Sequence, residues 1–88
     1  MDTRLTGKVR GILRTHFPGI VVEDVKRGGA SKRIGGLLIW DGFVSMEQVE
    51  RQRRIWEALR SSLTDEERQS LSLMITLTPD ELRSIRAA

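Results

Sequence analysis

Few residues of this 88-residue chain are of types that do chemistry, and their spacing narrows that chemistry further. There is one histidine, His16, and no cysteine. One imidazole without a thiolate cannot by itself hold a transition metal or an iron–sulfur cluster. His16 reads more simply as a helix-end residue packing near Phe17. Ser45, Ser70 and Thr78 have no accompanying base, and Asp65, Glu66 and Glu67 stand where a helix start favours acids. The chain is therefore read as a non-enzyme without a cofactor of its own. The remaining candidates are basic. Arg51, Arg53 and Arg54, with Arg60 beyond them, could grip phosphate through bidentate hydrogen bonds. Against this, Glu47–Arg51 and Glu50–Arg54 have the i,i+4 spacing of ion pairs on a solvated helix face. Lys26, Arg27, Lys32 and Arg33 make the better anion candidate, because they lie in a glycine-containing stretch, Lys26 to Gly35, read as a loop with exposed backbone N–H groups.

The net charge is +3 and the isoelectric point about 10.2. The excess sits in the first half: Met1 to Val44 carries a net of +4 and Ser45 to Ala88 a net of −1. Weak, salt-sensitive polyanion binding fits such a surface. Sequence-specific recognition of single strands fits less well, because aromatic residues are few and Ala58 to Leu63 has no Gly-x-x-Gly clamp. Without cysteine there is no disulfide framework. No run is apolar enough to cross a membrane and no secretory signal precedes the first helix, so a single cytoplasmic domain, residues 1–88, is expected.

The elements that must position these residues centre on Gly36 to Leu59. Leu37 to Trp40 reads as a strand, Asp41-Gly42 as a turn, and Ser45 with Gln48 as a capping box opening a long helix. Val49, Trp56, Leu59 and Leu63 supply its apolar spacing. Before this unit, Thr3 to His16 reads as a helix with Leu5, Val9, Ile12 and Leu13 on one stripe, despite the helix-weakening Gly7 and Gly11. Ile20 to Val25 is a β-branched strand that should pair with the next strand as a hairpin. After it, Thr64 to Glu67 starts a short helix. Leu71, Leu73, Ile75 and Leu77 then alternate with polar residues and predict a strand with those four buried. Thr78-Pro79-Asp80-Glu81 caps a last helix with Leu82 and Ile85 facing inward. The order α-β-β-α-α-β-α predicts an α+β fold, a three-stranded sheet with helices packed on one face. Leu37 to Trp40 is apolar on both faces, so Leu38 and Trp40, or else Leu37 and Ile39, would meet solvent unless a terminal segment covers them. Such a strip marks a protein-partner surface, assigned here to Leu38 and Trp40.

Several landmarks carry a family resemblance: Phe17-Pro18-Gly19 after the first helix, Gly42-Phe43 after the second strand, and Arg51-Gln52-Arg53 within the long helix. Leu71 to Leu77 running into Thr78-Pro79-Asp80-Glu81 completes the set. Together they resemble the BolA-like family, over nearly the whole chain. The resemblance implies a topology similar to the class II KH fold. It also implies one of two roles: partnership with a monothiol glutaredoxin around a shared [2Fe-2S] cluster, or DNA-binding transcription regulation. The chain departs from the family at the cluster positions. Ser70 stands where a histidine usually precedes the last strand, Lys26 to Gly35 holds neither histidine nor cysteine, and Gln52 replaces the central histidine of an Arg-His-Arg pattern. The expectation is an adaptor that acts through protein contact without ligating the cluster, with nucleic-acid binding through residues 26–33 and the helix arginines as the alternative.

Overall fold

A computed structural model of the chain describes residues 3–28 and 33–87, and the side chains of residues 4–23 and 33–87. The elements are α1 (Thr3–His16), β1 (Val21–Gly28), β2 (Arg33–Ile39), a 3-10 turn (Asp41–Ser45), α2 (Gln48–Ser62), α3 (Asp65–Gln69), β3 (Leu71–Leu77) and α4 (Pro79–Ala87). The strands form one sheet in the order β1-β2-β3, with β1 and β2 antiparallel and β2 and β3 parallel. A parallel pair needs a long crossover, which α2 and α3 provide. The architecture is the α+β arrangement that the element order predicts.

The apolar stripe of α1 behaves as expected: Leu5, Val9 and Leu13 are buried and continue into Phe17. They meet Ile55, Ala58, Leu59 and Leu63 of α2 and its exit, and Val22, Ile34, Leu38, Leu71 and Met74 of the sheet, in one cluster. Gly7 and Gly11 face open space, so no close neighbour accounts for them.

The central strand β2 carries two adjacent glycines, and both neighbouring strands step out of register beside them. On one side Glu23 pairs with Leu37 and Lys26 with Gly35. On the other side Ile34 pairs with Leu71 and Gly36 with Met74. Each neighbour gains a residue over β2, which is a β-bulge. A side chain on Gly35 would start 3.1 Å from the Leu73 carbonyl oxygen and 3.2 Å from Ser72 Oγ, so any larger residue would crowd the β3 bulge.

This bulge overturns the predicted face of β3. Leu71 is buried as expected, but the extra residue shifts the phase, so Met74 and Thr76 face the core. Leu73 and Ile75 are 66% and 45% exposed on the other face. Strict alternation from Leu71 assumes an unbroken ladder, which Gly35 and Gly36 abolish. The stretch Lys26 to Gly35 is also less of a loop than expected. The ladder resumes after the β1 bulge, placing Lys26 and Arg27 in β1 and Arg33 to Gly35 in β2. Lysine and arginine on an edge strand suit it, because charge there discourages unwanted pairing.

The phase of α2 differs as well. Its buried residues are Arg51, Ile55, Ala58 and Leu59, while Val49 is 80% exposed. No capping box forms between Ser45 and Gln48. Ser45 ends the 3-10 turn, Glu47 caps α2 without a side-chain bond, and the Gln48 amide is engaged by β3. Gly42 serves the 3-10 turn by leaving room for the Trp40 ring, whose atoms lie as close as 2.4 Å to where a Cβ would be. The other two boxes form as read. Thr64 Oγ1 accepts from the Glu67 N–H at 3.1 Å and Glu67 accepts from the Thr64 N–H at 2.9 Å. Thr78 and Glu81 repeat the exchange at 3.1 and 2.8 Å. In α4, Leu82 is half-buried but Ile85 is exposed, contrary to its expected inward facing. The helix runs back toward β1, where Arg86 donates to Glu23 at 3.3 Å.

The register of β3 is checked by two truncations followed by chemical denaturation. Met74→Ala should cost about 2–5 kcal/mol as a core cavity, whereas Leu73→Ala should stay within about 0.5 kcal/mol of the parent. The opposite ranking would restore the unbulged register.

Candidate functional site

The most constrained polar group in the chain is Arg51, 5% exposed and midway along α2's inner face. Its position follows from the helix period: Gln48, Arg51 and Gln52 lie at i, i+3 and i+4, one polar stripe beside the apolar one. That stripe meets the outer edge of β3. Arg51 Nε donates to the Met46 carbonyl at 3.0 Å, and Nη1 donates to the Thr76 carbonyl at 3.2 Å and to Glu81 Oε1 at 2.7 Å. Nη2 donates to Glu81 Oε2 at 3.3 Å. The guanidinium also lies over the Phe43 ring, 5.6 Å from its centroid. Gln48 Nε2 donates to the Thr76 carbonyl at 3.1 Å and accepts from the Thr76 hydroxyl at 2.7 Å. Gln52 Nε2 donates to the Met74 carbonyl at 2.7 Å and accepts from Trp56 Nε1 at 3.2 Å.

β3 is an edge strand, and its outward carbonyls at Met74 and Thr76 would otherwise face solvent or another chain. Three α2 side chains occupy them. The same guanidinium joins the 3-10 turn, through Phe43, to the cap of α4, through Glu81. Arg51 holds the Glu81 carboxyl below its usual range, with the Thr78 N–H as the next cause.

This geometry removes Arg51 from the candidate anion contacts: it is buried and committed. Arg53 and Arg54 are exposed but both donate to Glu50, Arg54 at 2.7 Å, and Arg53 also lies 3.8 Å from Glu57. Their hydrogen bonds hold the Glu50 carboxyl below its usual range, Arg53 more than Arg54. Arg33 opens β2 and is exposed, and Lys26 and Arg27 are placed by their backbones in β1. Lys32 lies outside the described residues. The helix arginines and the hairpin end are not brought together. Thr76, where Arg51 binds, pairs with Leu38, five residues along β2 from Arg33, which is about 17 Å at ~3.3 Å per residue.

The expected partner surface also moves. Leu38 is fully buried in the core. Trp40 is half-buried between Phe17 and Phe43, with edge-on ring centroids at 5.2 and 5.3 Å, and its Nε1 donates to the Pro18 carbonyl at 2.9 Å. Of the two alternatives for this strand, Leu37 and Ile39 are the residues on the face away from the core. Periodicity alone could not choose between faces. The signal that could have done so is Val22, which pairs directly with Leu38 and shares its inward side.

At the cluster positions named by the resemblance, Ser70 ends α3 with its hydroxyl 3.5 Å from the Glu66 carbonyl. Around it, Arg4, Leu5, Lys8, Glu66 and Glu67 line a shallow cleft in which Lys8 donates to Glu67 at 3.0 Å. The Glu67 carboxyl is held low, first by the Thr64 N–H and then by Lys8. His16 lies at the opposite end of α1 from Arg4 and Leu5, about 17 Å along the helix at ~1.5 Å per residue. It is exposed, with its ring 6.5 Å from that of Phe17. Among the described residues no group of three histidine, cysteine or acidic side chains converges as a metal site. No described helix is long and apolar enough to cross a membrane.

An antiparallel hairpin, a two-helix crossover and a parallel third strand followed by a short helix define a small α+β fold shared with solved structures. The chain is similar to BolA1 from Arabidopsis thaliana, with a TM-score of 0.60 at 23% identity over 88% of this chain and 94% of that one. It is equally similar to a Bol-like protein from Babesia bovis, with a TM-score of 0.60 at 20% identity over 92% of each chain. The BolA domain of SufE1 from Arabidopsis thaliana gives 0.60 at 22% identity over 92% of this chain and 98% of that domain. No protein-family model and no curated protein matches the sequence. The fold is therefore BolA-like, as the landmarks in the sequence implied.

Arg51→Met should lower stability by about 2 kcal/mol or more, because it strands the Met46 carbonyl and the Glu81 carboxylate. Arg51→Lys should recover little, since an ammonium cannot reproduce the fork. Arg51 and the Thr78 N–H make Glu81 titrate below the ordinary glutamate range in the folded chain, so its contribution is complete above the unfolded value and is lost as the pH falls through the folded value. Thermal melts should thus show Glu81→Gln less stable than the parent near pH 7, with the gap closing toward pH 3. A gap independent of pH would remove the ion pair from the account.

Proposed function

We propose that this chain is a BolA-like adaptor, a non-enzymatic protein that acts by contact with another protein and does not ligate an iron–sulfur cluster. The observation that carries the reading is the set of apolar side chains left outside the core on the sheet's second face, Val21, Leu73 and Ile75, with Ile85 of α4 also exposed. Exposed large apolar residues grouped on one face suit a partner surface. The polar clusters, by contrast, are explained by folding: Arg51 by the β3 edge, Thr64 and Thr78 by their caps. A monothiol glutaredoxin is the partner that the resemblance suggests, and a cytoplasmic setting goes with it.

The cluster is a poor fit to the residues present. Ligation by a cluster iron needs thiolate or imidazole. The chain has no cysteine, Ser70 retains its proton at neutral pH, and His16 is a helix length away from Ser70. The alternative of a nucleic-acid-binding regulator keeps only one supporting feature, the basic positions Lys26, Arg27, Lys32 and Arg33 of the hairpin.

Mixed with a cluster-loaded monothiol glutaredoxin, the protein should leave the visible absorption and circular dichroism of the cluster unchanged, whether or not the two proteins bind. A new charge-transfer spectrum would refute the non-ligating reading, and its loss in His16→Ala would identify the ligand. For the alternative, alanine at Lys26, Arg27, Lys32 and Arg33 should weaken any nucleic-acid binding for all sequences alike and flatten its salt dependence. Binding that survives those four substitutions unchanged would remove the hairpin from that role.

A further inference from the structure

Residues paired across strands share a face, so Val21, Ile39 and Leu77 form one row on the sheet's second face, and Glu23, Leu37 and Ile75 form the next. α1 and α2 pack on the core side, and α3 is tied to α1 by the Lys8–Glu67 pair. Among the described residues, α4 is the helix left for the second face. It starts at the end of β3, and its Arg86 donates to Glu23 of β1 at 3.3 Å. The helix therefore crosses the sheet from one edge strand to the other. Strands ~4.8 Å apart place β3 about 10 Å from β1, and nine residues of helix reach about 13 Å at ~1.5 Å per residue. Ile39, in the strand between, is 6% exposed although it stands outside the main core cluster. Its cover is the helix that passes over it.

That cover is held lightly. No residue of α4 is buried, Leu82 is half-buried, and Arg83 to Ala87 are exposed. Nine residues are also fewer than the ~12–15 that an isolated helix needs to persist in water. The two ends are fastened unequally. At the start, Thr78 is buried, its capping box with Glu81 is closed, and Glu81 is paired with buried Arg51. At the far end, the Arg86 and Glu23 side chains are 62% and 39% exposed, and an ion pair so open to water stabilises little.

We propose that α4 is a strap hinged at the Thr78–Glu81 cap, whose Arg83–Ala87 end lifts from β1 while the rest of the fold stays closed. Segments with few buried apolar contacts open at a lower free energy than the core. Lifting breaks the Arg86–Glu23 pair and uncovers Ile39. The row Val21, Ile39 and Leu77 then lies open beside Leu37 and Ile75, so the position of α4 sets how much apolar surface the sheet presents. The strap is a property of the fold and stands or falls separately from the adaptor reading.

The chain has no cysteine, so one introduced thiol reports access at its own position. Full-length Ile39→Cys, Leu38→Cys and Leu73→Cys chains are labelled with iodoacetamide and followed by mass spectrometry. Leu38 is fully buried on the core face and Leu73 is 66% exposed. The Ile39→Cys thiol should react roughly hundredfold or more faster than that of Leu38→Cys, and roughly tenfold or more slower than that of Leu73→Cys. Urea below the unfolding midpoint should barely change the Ile39→Cys rate, because lifting α4 exposes little surface, but should raise the Leu38→Cys rate steeply. Adding Glu23→Gln should speed Ile39→Cys labelling about two- to fivefold and leave Leu73→Cys unchanged. Amide exchange in the unsubstituted chain gives a second measure that needs no thiol. The Ile85 and Arg86 amides should exchange with protection roughly hundredfold or more below that of Leu38, and faster again in Glu23→Gln. Ile39→Cys labelling as slow and as urea-dependent as Leu38→Cys would overturn the proposal, since α4 would then leave only on global unfolding. Labelling as fast as Leu73→Cys would overturn it too, since α4 would then cover nothing. Rates indifferent to Glu23→Gln, or α4 amides protected as well as Leu38, would do the same.

Discussion

The Arg51 guanidinium is the interaction on which the rest of the arrangement depends. It satisfies carbonyls at Met46 and Thr76, pairs with Glu81 and covers the Phe43 ring. Three separate chain segments therefore meet at one buried cation. Burying a charge is costly unless its hydrogen bonds are made, so the segments are constrained together: if one withdraws, the cation loses a partner that nothing else nearby replaces. This links the angle at which β2 enters the 3-10 turn to the place where α4 begins. It also explains why Arg-Gln-Arg, Gly-Phe and Thr-Pro-Asp-Glu occur in one chain. They are parts of one contact and of the turn and cap that present it.

The element order was legible in the sequence because its signals are local. Two of three capping boxes, the α1 stripe and the β-branched first strand each report on a few neighbouring residues, and each folds as read. The faces were less legible. Leu73 looks like a core residue until the bulge opposite Gly35 is known, and the bulge arises between strands almost forty residues apart in sequence. Two adjacent glycines inside a strand pattern were the available signal for it. In α2, reading by hydrophobicity favoured Val49, whereas the buried stripe begins with an arginine. Periodicity counts apolar residues and so passes over a polar residue that is buried because its partners are.

The site was legible in reverse. Residues chosen for reactivity by type, the α2 arginines, are engaged in holding the fold or in pairs with Glu50 on the surface. Exposed apolar residues remain without a partner in the fold, and two of them, Leu73 and Ile75, are residues that the unbulged register would have buried. For a chain with no cysteine and one exposed imidazole, this distribution shifts the functional question from bond chemistry to contact.

Closing one edge of the sheet also shapes where contact can occur. A strand edge with free carbonyls invites any extended chain, and β3 would present one beside its exposed leucine and isoleucine. With Gln48, Arg51 and Gln52 on that edge, the Met74 and Thr76 carbonyls that could recruit another strand are already occupied. On the far side, β1 is interrupted by its bulge and carries Lys26 and Arg27, both features that discourage edge pairing. A three-stranded sheet blunted at both edges can still accept a layer on its face, and a helix is the element that packs on a sheet face without needing its edges. The polar stripe of α2 and the bulges beside Gly35 and Gly36 thus favour face contact over strand exchange, a selectivity produced by what the edges withhold.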